Sequence, residues 1–200
     1  RPFKVRHDQM RYASERRTRV LPRELDPATA ERLLAKTRAE GTTVHGALSA
    51  AMILGALEDS RKTRGQVAFG SPVNLRATLA PPVGEQLGFY VSMLMYTAGV
   101  SASTPFWEVA RAVRRDLERA LARGGQFHIL DLLPRLFGLV GGGRLPSRAF
   151  TERLERLAPA TTGLTNLGRL ELDTTHGPLT IEACHFVACR RVAGEGFPSP

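Results

Sequence analysis

Apolar residues in this chain recur first with helical spacing, then in strand-like runs, then with helical spacing again. Residues 1–15 are polar and irregular and read as a linker, and Thr18 to Glu24 has the composition of a short strand. Asp26-Pro27 is a helix start, with Asp as N-cap and Pro at the first helical position. Leu33 and Leu34 among charged residues make it a surface helix ending near Gly41. Thr42-Thr43 offers the next cap. Val44, Ala47, Leu48 and Ala51 then fall at i, i+3, i+4 and i+7, and the segment through Leu57 is apolar almost all round, predicting a buried helix. Its small residues, Gly46, Ala47, Ala50, Ala51 and Gly55, permit close packing.

Val67 to Val73 reads as a strand running into Asn74-Leu75-Arg76, followed by a loop with Pro81, Pro82 and Gly84. Leu87 to Thr97 is rich in aromatic and branched residues and predicts a second strand, on which Phe89 and Tyr90 point to opposite faces. Ser103-Thr104-Pro105 caps a long amphipathic helix whose buried stripe is Phe106, Ala110, Val113, Leu117 and Ala120. A shorter helix covers about His128 to Val140, and Phe150 to Leu157 a further one. Gly163 to Leu172 and Pro178 to Cys189 read as two strands joined by a turn at His176-Gly177. The element order predicts a mixed α/β domain, long helices on a sheet.

Composition is that of a packed domain: 200 residues, 42% hydrophobic and 24% charged. The net charge of +9 admits a nucleic acid, an anionic surface or an acidic partner. Lysine stands only at Lys4, Lys36 and Lys62, so the remaining basic residues are arginines. Many of these sit beside acids, as in Arg111, Arg114, Arg115, Asp116, Glu118 and Arg119, the pattern of a solvated helix face. The aromatics lie in strands and apolar helix faces, so nucleic-acid binding ranks last. Cys184 and Cys189 are five apart on one expected strand and point to opposite faces, which suits buried small residues better than a disulfide or metal pair. No apolar run reaches membrane-spanning length and no signal peptide opens the chain, so a cytoplasmic protein is expected. The chain opens on Arg1 rather than Met and is read as part of a longer protein. Gly141-Gly142-Gly143 lacks the context of a phosphate-binding loop and reads as a flexible turn; Arg144 and Arg148 beside it are candidate contacts for phosphates or an acidic partner, on charge alone.

Five segments carry a resemblance. Thr42-Thr43-Val44-His45-Gly46-Ala47-Leu48-Ser49-Ala50-Ala51 is similar to the helix that opens the second lobe of condensation domains and related acyltransferases. Ser71-Pro72-Val73-Asn74-Leu75-Arg76 resembles their PVDLR strand end, and Leu87 to Leu94 their GxFVNTL strand. Phe106 to Leu121 resembles the long helix that follows, and Leu164-Thr165-Asn166-Leu167-Gly168-Arg169 the SNxGR strand of alcohol acetyltransferases and polyketide-associated acyltransferases. Together they resemble the C-terminal lobe of a chloramphenicol acetyltransferase-like acyltransferase. Ser92 in place of the Asn usual in condensation domains, and the lack of a DFGWG motif, favour the alcohol-acetyltransferase or polyketide-associated branch.

The resemblance implies a chloramphenicol acetyltransferase-like lobe over residues 26–200, entered through a linker or crossover over 1–25. It implies transfer of an acyl group from a CoA or phosphopantetheine thioester, used as co-substrate rather than as a bound cofactor, to a hydroxyl or amine. The base would be the second His of an HHxxxD motif on an N-terminal lobe. None of His7, His45, His128, His176 and His185 is doubled or followed by Asp at that spacing; His128 with Asp131 comes nearest, one residue short. The N-terminal lobe is therefore the first expected partner and an acyl carrier protein the second. Within this chain the resemblance makes Ser92 an oxyanion or substrate contact; the alternative is a strand hydroxyl bonded to backbone. Tyr90, Thr165 and Asn166 would line the channel between lobes, Asn166 suiting a pantetheine arm or else closing a strand-end bulge. Arg76 would serve structurally, through bidentate pairing or an exposed ion pair. The strands bearing Ser92 and Asn166 are expected side by side along a cleft. A docking lobe without catalysis is the competing reading.

Overall fold

The computed structural model describes residues 2–3, 20–141, 161–170 and 172–186. Helix α1 (Pro27–Ala39) starts as its sequence dictates: the Asp26 carboxylate accepts the Thr29 backbone N–H at 2.8 Å and Pro27 takes the first turn. Helix α2 (Val44–Asp59) is capped by Thr43, whose hydroxyl accepts the Gly46 N–H at 3.0 Å. Strand β1 (Arg64–Asn74) pairs antiparallel with β2 (Val91–Ser101), from Arg64 opposite Ser101 to Asn74 opposite Val91. Helices α3 (Phe106–Ala122) and α4 (His128–Gly141) follow, and β3 (Thr162–Gly163) returns to the far side of β1 in parallel. The sheet order is β2-β1-β3, and β4 (Thr175–His176) with β5 (Leu179–Thr180) forms a separate small hairpin turning at Gly177. A mixed sheet packed by long helices is thus what the chain builds.

Opposed residues of an antiparallel pair share a face, so the register sorts the sheet. One face carries Val67, Phe69 and Ser71 with Ala98, Tyr96 and Leu94. It meets Ile53 and Leu57 of α2 and Val109 and Val113 of α3 in one buried cluster. Helices α2 and α3 meet closely. Gly46 lies where a Cβ would come within 2.8 Å of the Ala110 carbonyl oxygen, which also accepts the Thr42 hydroxyl at 2.9 Å. Glu40 ties α1 to this pair, bonding Lys36 at 2.8 Å and Arg111 at 3.0 Å.

Several expectations are corrected. The face of α2 that packs is Gly46, Ala47, Ser49, Ala50, Ile53, Ala56 and Leu57, while Leu48 and Ala51 are exposed. The helix is apolar around most of its circumference, so periodicity does not choose its inner side; the close approach at Gly46 does. In α3 the stripe is in phase, but only Val109, Ala110 and Val113 are fully buried, and Pro105 begins the helix without a side-chain cap. Residues 20–24 form no strand, and Phe3 is no free linker: its N–H bonds the Gln66 carbonyl at 3.1 Å and its ring packs on the core. Cys184 is exposed in an irregular stretch after β5 instead of buried on a strand. Phe150–Leu157, Gly142-Gly143, Arg144, Arg148, Cys189 and His7 lie outside the described residues.

Replacing Gly46 by Ala would ordinarily stabilise a helix by about 1 kcal/mol. Here the added methyl meets a backbone oxygen that cannot turn aside, and overpacking of this kind costs about 1–3 kcal/mol. Gly46→Ala is therefore expected to lower the urea midpoint of unfolding, whereas Gly55→Ala, whose Cβ would meet nothing, raises or preserves it.

Candidate functional site

β2 alternates along most of its length, broken only at Met95 and Tyr96, which are both half-buried. Ser92, Leu94 and Val100 are buried on the helix-packed face, and Val91, Met93, Thr97 and Gly99 are exposed on the other. The segment before β2 prolongs the outward-facing series in sequence: Leu87 is fully exposed and Phe89 is 90% exposed. Leu87, Phe89, Val91 and Met93 thus form an apolar series at every second position, all open to solvent. Such a run is unusual on a free surface.

Arg76 holds the loop that presents this series. Its guanidinium donates to the Gly84 carbonyl at 2.6 Å and the Gln86 carbonyl at 2.9 Å, and lies 4.5 Å from the centre of the Tyr90 ring. The planar fork spans two carbonyls while its face stacks on the aromatic, which lysine cannot reproduce. Asn74 orders the turn by accepting the Arg76 N–H at 3.0 Å, and the Leu75 N–H closes the loop on the Tyr90 carbonyl at 2.8 Å. Among the described residues the partners of the Arg76 guanidinium are backbone carbonyls and the Tyr90 ring, not the carboxylate that bidentate pairing would use.

Ser92 departs from its expected position on a cleft. It is 4% exposed and its hydroxyl donates to the Gln126 carbonyl, tying β2 to the 3-10 turn (Gly125–Phe127) ahead of α4. Of the two alternatives, the geometry matches a strand hydroxyl satisfied by backbone. Asn166, by contrast, is not on a strand; it is exposed, and its side-chain oxygen accepts the Gly168 N–H at 2.9 Å, with Gly168 at φ +70°. Thr165 is exposed beside it, in the irregular segment after β3. Since β1 lies between β2 and β3, the expectation that Ser92 and Asn166 flank one cleft on neighbouring strands is corrected. Tyr90 is half-buried beneath Arg76, and Phe89 points into solvent. His128 and Asp131 both lie exposed on the first turn of α4.

A second polar group gathers on the helix-packed side of the sheet. His45, on the first turn of α2, places Nε2 3.1 Å from the hydroxyl of Ser71, which is fully buried. Burial holds the imidazole below its ordinary pKa of 6.5, and the positive end of α2 acts in the same direction. Tyr96 and Ser49 adjoin this pair; burial pushes the Tyr96 phenol up, against Ser71 and Ser49, which pull it down. Sequence reading passed over this group because its members lie on three elements and each breaks no local pattern. Among the described residues no cluster of His, Cys, Asp and Glu is arranged to hold a metal, and no helix is long and apolar enough to cross a membrane.

Two outcomes follow from this geometry. Ser92→Ala leaves the buried Gln126 carbonyl without its donor, a change that costs about 1–3 kcal/mol, and equilibrium urea unfolding should show a loss of that order. The folded His45 binds its proton more weakly than the unfolded chain does, so the unfolded state takes up more protons below about 6.5. Stability should therefore fall as pH drops below 6.5 toward the lowered folded value, and a His45→Gln variant should show a flatter slope across that window.

Against solved structures the chain is similar to polyketide synthase associated protein 5 from Mycobacterium tuberculosis, with 23% identity and a TM-score of 0.47 over 51% of this chain and 26% of that one. It is also similar to the condensation domain of the Monacolin K polyketide synthase MokA, with 18% identity and a TM-score of 0.41 over 78% of this chain and 28% of that one. The chain thus spans about a quarter of the length of each. No curated protein matches it. The family model described as phthiocerol/phthiodiolone dimycocerosyl transferase C-terminus matches residues 14–197, and with the order of motifs along the sequence this settles the lineage: the chain belongs to the family of C-terminal portions of polyketide-associated acyltransferases.

Proposed function

We propose that this chain is the C-terminal half of an acyltransferase that moves an apolar acyl group from a CoA or carrier-protein thioester to a hydroxyl or amine. The match over residues 14–197 to the family described as phthiocerol/phthiodiolone dimycocerosyl transferase C-terminus supports this reading. In the reaction so proposed, a histidine of the N-terminal half takes the acceptor proton. The acceptor attacks the thioester carbonyl, a C–O or C–N bond forms, the C–S bond breaks, and the proton passes to the departing thiolate. The base is proposed to lie outside the described residues of this chain, in which His45 is tied to Ser71 and His128, His176 and His185 lie exposed.

What the chain would contribute is a surface and its rigidity. The exposed series Leu87, Phe89, Val91 and Met93 is the proposed seat of the N-terminal half and the apolar wall of the acyl channel. Arg76 fixes the loop on which Leu87 and Phe89 stand, so their area is offered at low entropic cost. Tyr90, Thr165 and Asn166 remain the proposed substrate contacts, Tyr90 from beneath Arg76 and the other two from the segment after β3. Ser92 would reach an oxyanion only by giving up the Gln126 carbonyl, so its proposed share in catalysis is to hold β2 in place. An acyl carrier protein is the proposed second partner.

The test is acyl transfer by the full-length protein carrying Leu87→Asp with Phe89→Asp. Both side chains are exposed in this chain, so its own unfolding midpoint should not move, while transfer from an acyl thioester should drop by about tenfold or more. Unchanged transfer would overturn the reading of this surface. A full-length protein that binds an acyl carrier protein but transfers no acyl group from it would favour the docking lobe instead.

A further inference from the structure

Two distant parts of the chain lie end to end along the edge of β1 that faces away from β2. Residues 2–3 are one of them. The Phe3 N–H donates to the Gln66 carbonyl at 3.1 Å, and the Phe3 ring packs against the buried cluster. The ring fits over Gly65, where a Cβ would stand 3.0 Å from its Cδ1. The other part is the segment of β3. The Thr161 N–H donates to the Ala68 carbonyl at 2.8 Å, and the Leu164 N–H to the Gly70 carbonyl at 3.0 Å. Leu164 packs against the same cluster as Phe3.

The Thr161 side chain joins the two parts. In a regular parallel ladder Phe3 would donate to Gln66 and accept from Ala68. Here the Ala68 N–H donates to the Thr161 hydroxyl at 3.1 Å, and that hydroxyl donates to the Phe3 carbonyl at 2.5 Å. One oxygen thus spends its proton on Phe3 and a lone pair on β1. Phe3 and Thr161 are 158 residues apart in sequence, yet each holds the other in place. The hold matters because β3 has two residues, a length at which backbone pairing alone grips weakly. Past Leu164 the segment turns on itself, with the Asn166 side chain accepting the Gly168 N–H at 2.9 Å. Thr165 and Asn166 therefore take their position from the anchor at residues 161–164.

We propose that Phe3 and Thr161 are positioning residues for Thr165 and Asn166: the Thr161 hydroxyl, held between the Phe3 carbonyl and the Ala68 N–H, fixes the start of the segment that carries them. This rests on the reading of Thr165 and Asn166 as substrate contacts given above. Valine has the shape of threonine but can neither accept from Ala68 nor donate to Phe3, whereas serine can do both. The Phe3 ring is the second hold, since it keeps the carbonyl that Thr161 binds against the edge of the sheet.

The test uses the full-length protein with Thr161→Val, Thr161→Ser and Phe3→Ala. It reads hydrogen–deuterium exchange over residues 161–164 beside steady-state acyl transfer. Thr161→Val and Phe3→Ala should each speed exchange over 161–164 by about threefold or more, the worth of one hydrogen bond, and leave α2 and α3 unchanged. Each should raise the KM for the acyl thioester by about the same factor with kcat little altered, the pattern of lost binding. Thr161→Ser should keep both at the parent's values. Unchanged exchange over 161–164 in Phe3→Ala would overturn the proposal, as would a Thr161→Ser variant as impaired as Thr161→Val. Faster exchange with an unaltered KM would overturn the positioning role. A parent protein that transfers no acyl group would sink the acyltransferase reading instead, and the exchange data would still decide whether Phe3 and Thr161 hold the segment. Should Thr161→Val fail to fold, Phe3→Ala decides.

Discussion

The pairing register of β1 with β2 governs the rest of this structure. With Phe69 opposite Tyr96 and Ser71 opposite Leu94, every second residue of both strands is committed to the helices, and the intervening ones to the other face. A slip of one residue would exchange the two faces. Val91 and Met93 would enter the core, and Leu94 and Ser92 would face solvent. Core and exposed apolar face are therefore set by one choice of alignment.

The serines on the inner face show how that choice is enforced. Ser71 and Ser92 occupy positions that an all-apolar core would fill with aliphatic side chains. Each instead binds an element outside the sheet: Ser71 reaches His45 on α2, and Ser92 reaches the Gln126 carbonyl before α4. Buried hydroxyls that are costly when unpaired become position-specific fasteners when paired. With the Thr42 hydroxyl on the Ala110 carbonyl, three hydroxyls hold elements that apolar contact alone would allow to slide. This arrangement keeps β2 in place behind the outward-facing apolar series.

Much of this is legible in the sequence where a local signal decides. Asp26-Pro27 and Thr43 start their helices because capping is a property of a few adjacent residues. The start of β2 was misread for a tertiary reason. Leu87 to Tyr90 has strand-like composition, but β1 ends at Asn74 and leaves that segment no strand to pair with; Arg76 draws it into a clamped loop instead. Likewise Leu164 to Arg169 looks extended, yet the Asn166 side chain and the positive φ of Gly168 turn it away after a two-residue strand. Ser92 and Asn166 were singled out by resemblance, which supplies residue types but not distances, and β1 stands between their segments. The His45–Ser71 pair carries no local signature at all, since its members are 26 residues apart.

What unites these observations is a lobe built with one side of its sheet closed by its own helices and an exposed apolar series left over on the other. We propose that the rest of the protein covers that series. Hydrogen–deuterium exchange of this chain alone against the full-length protein tests it most directly. The account predicts strong added protection over residues 84–93 in the full-length protein, with little change in α2 and β1, whose amides are already sheltered. Equal exchange over residues 84–93 in the two would contradict it.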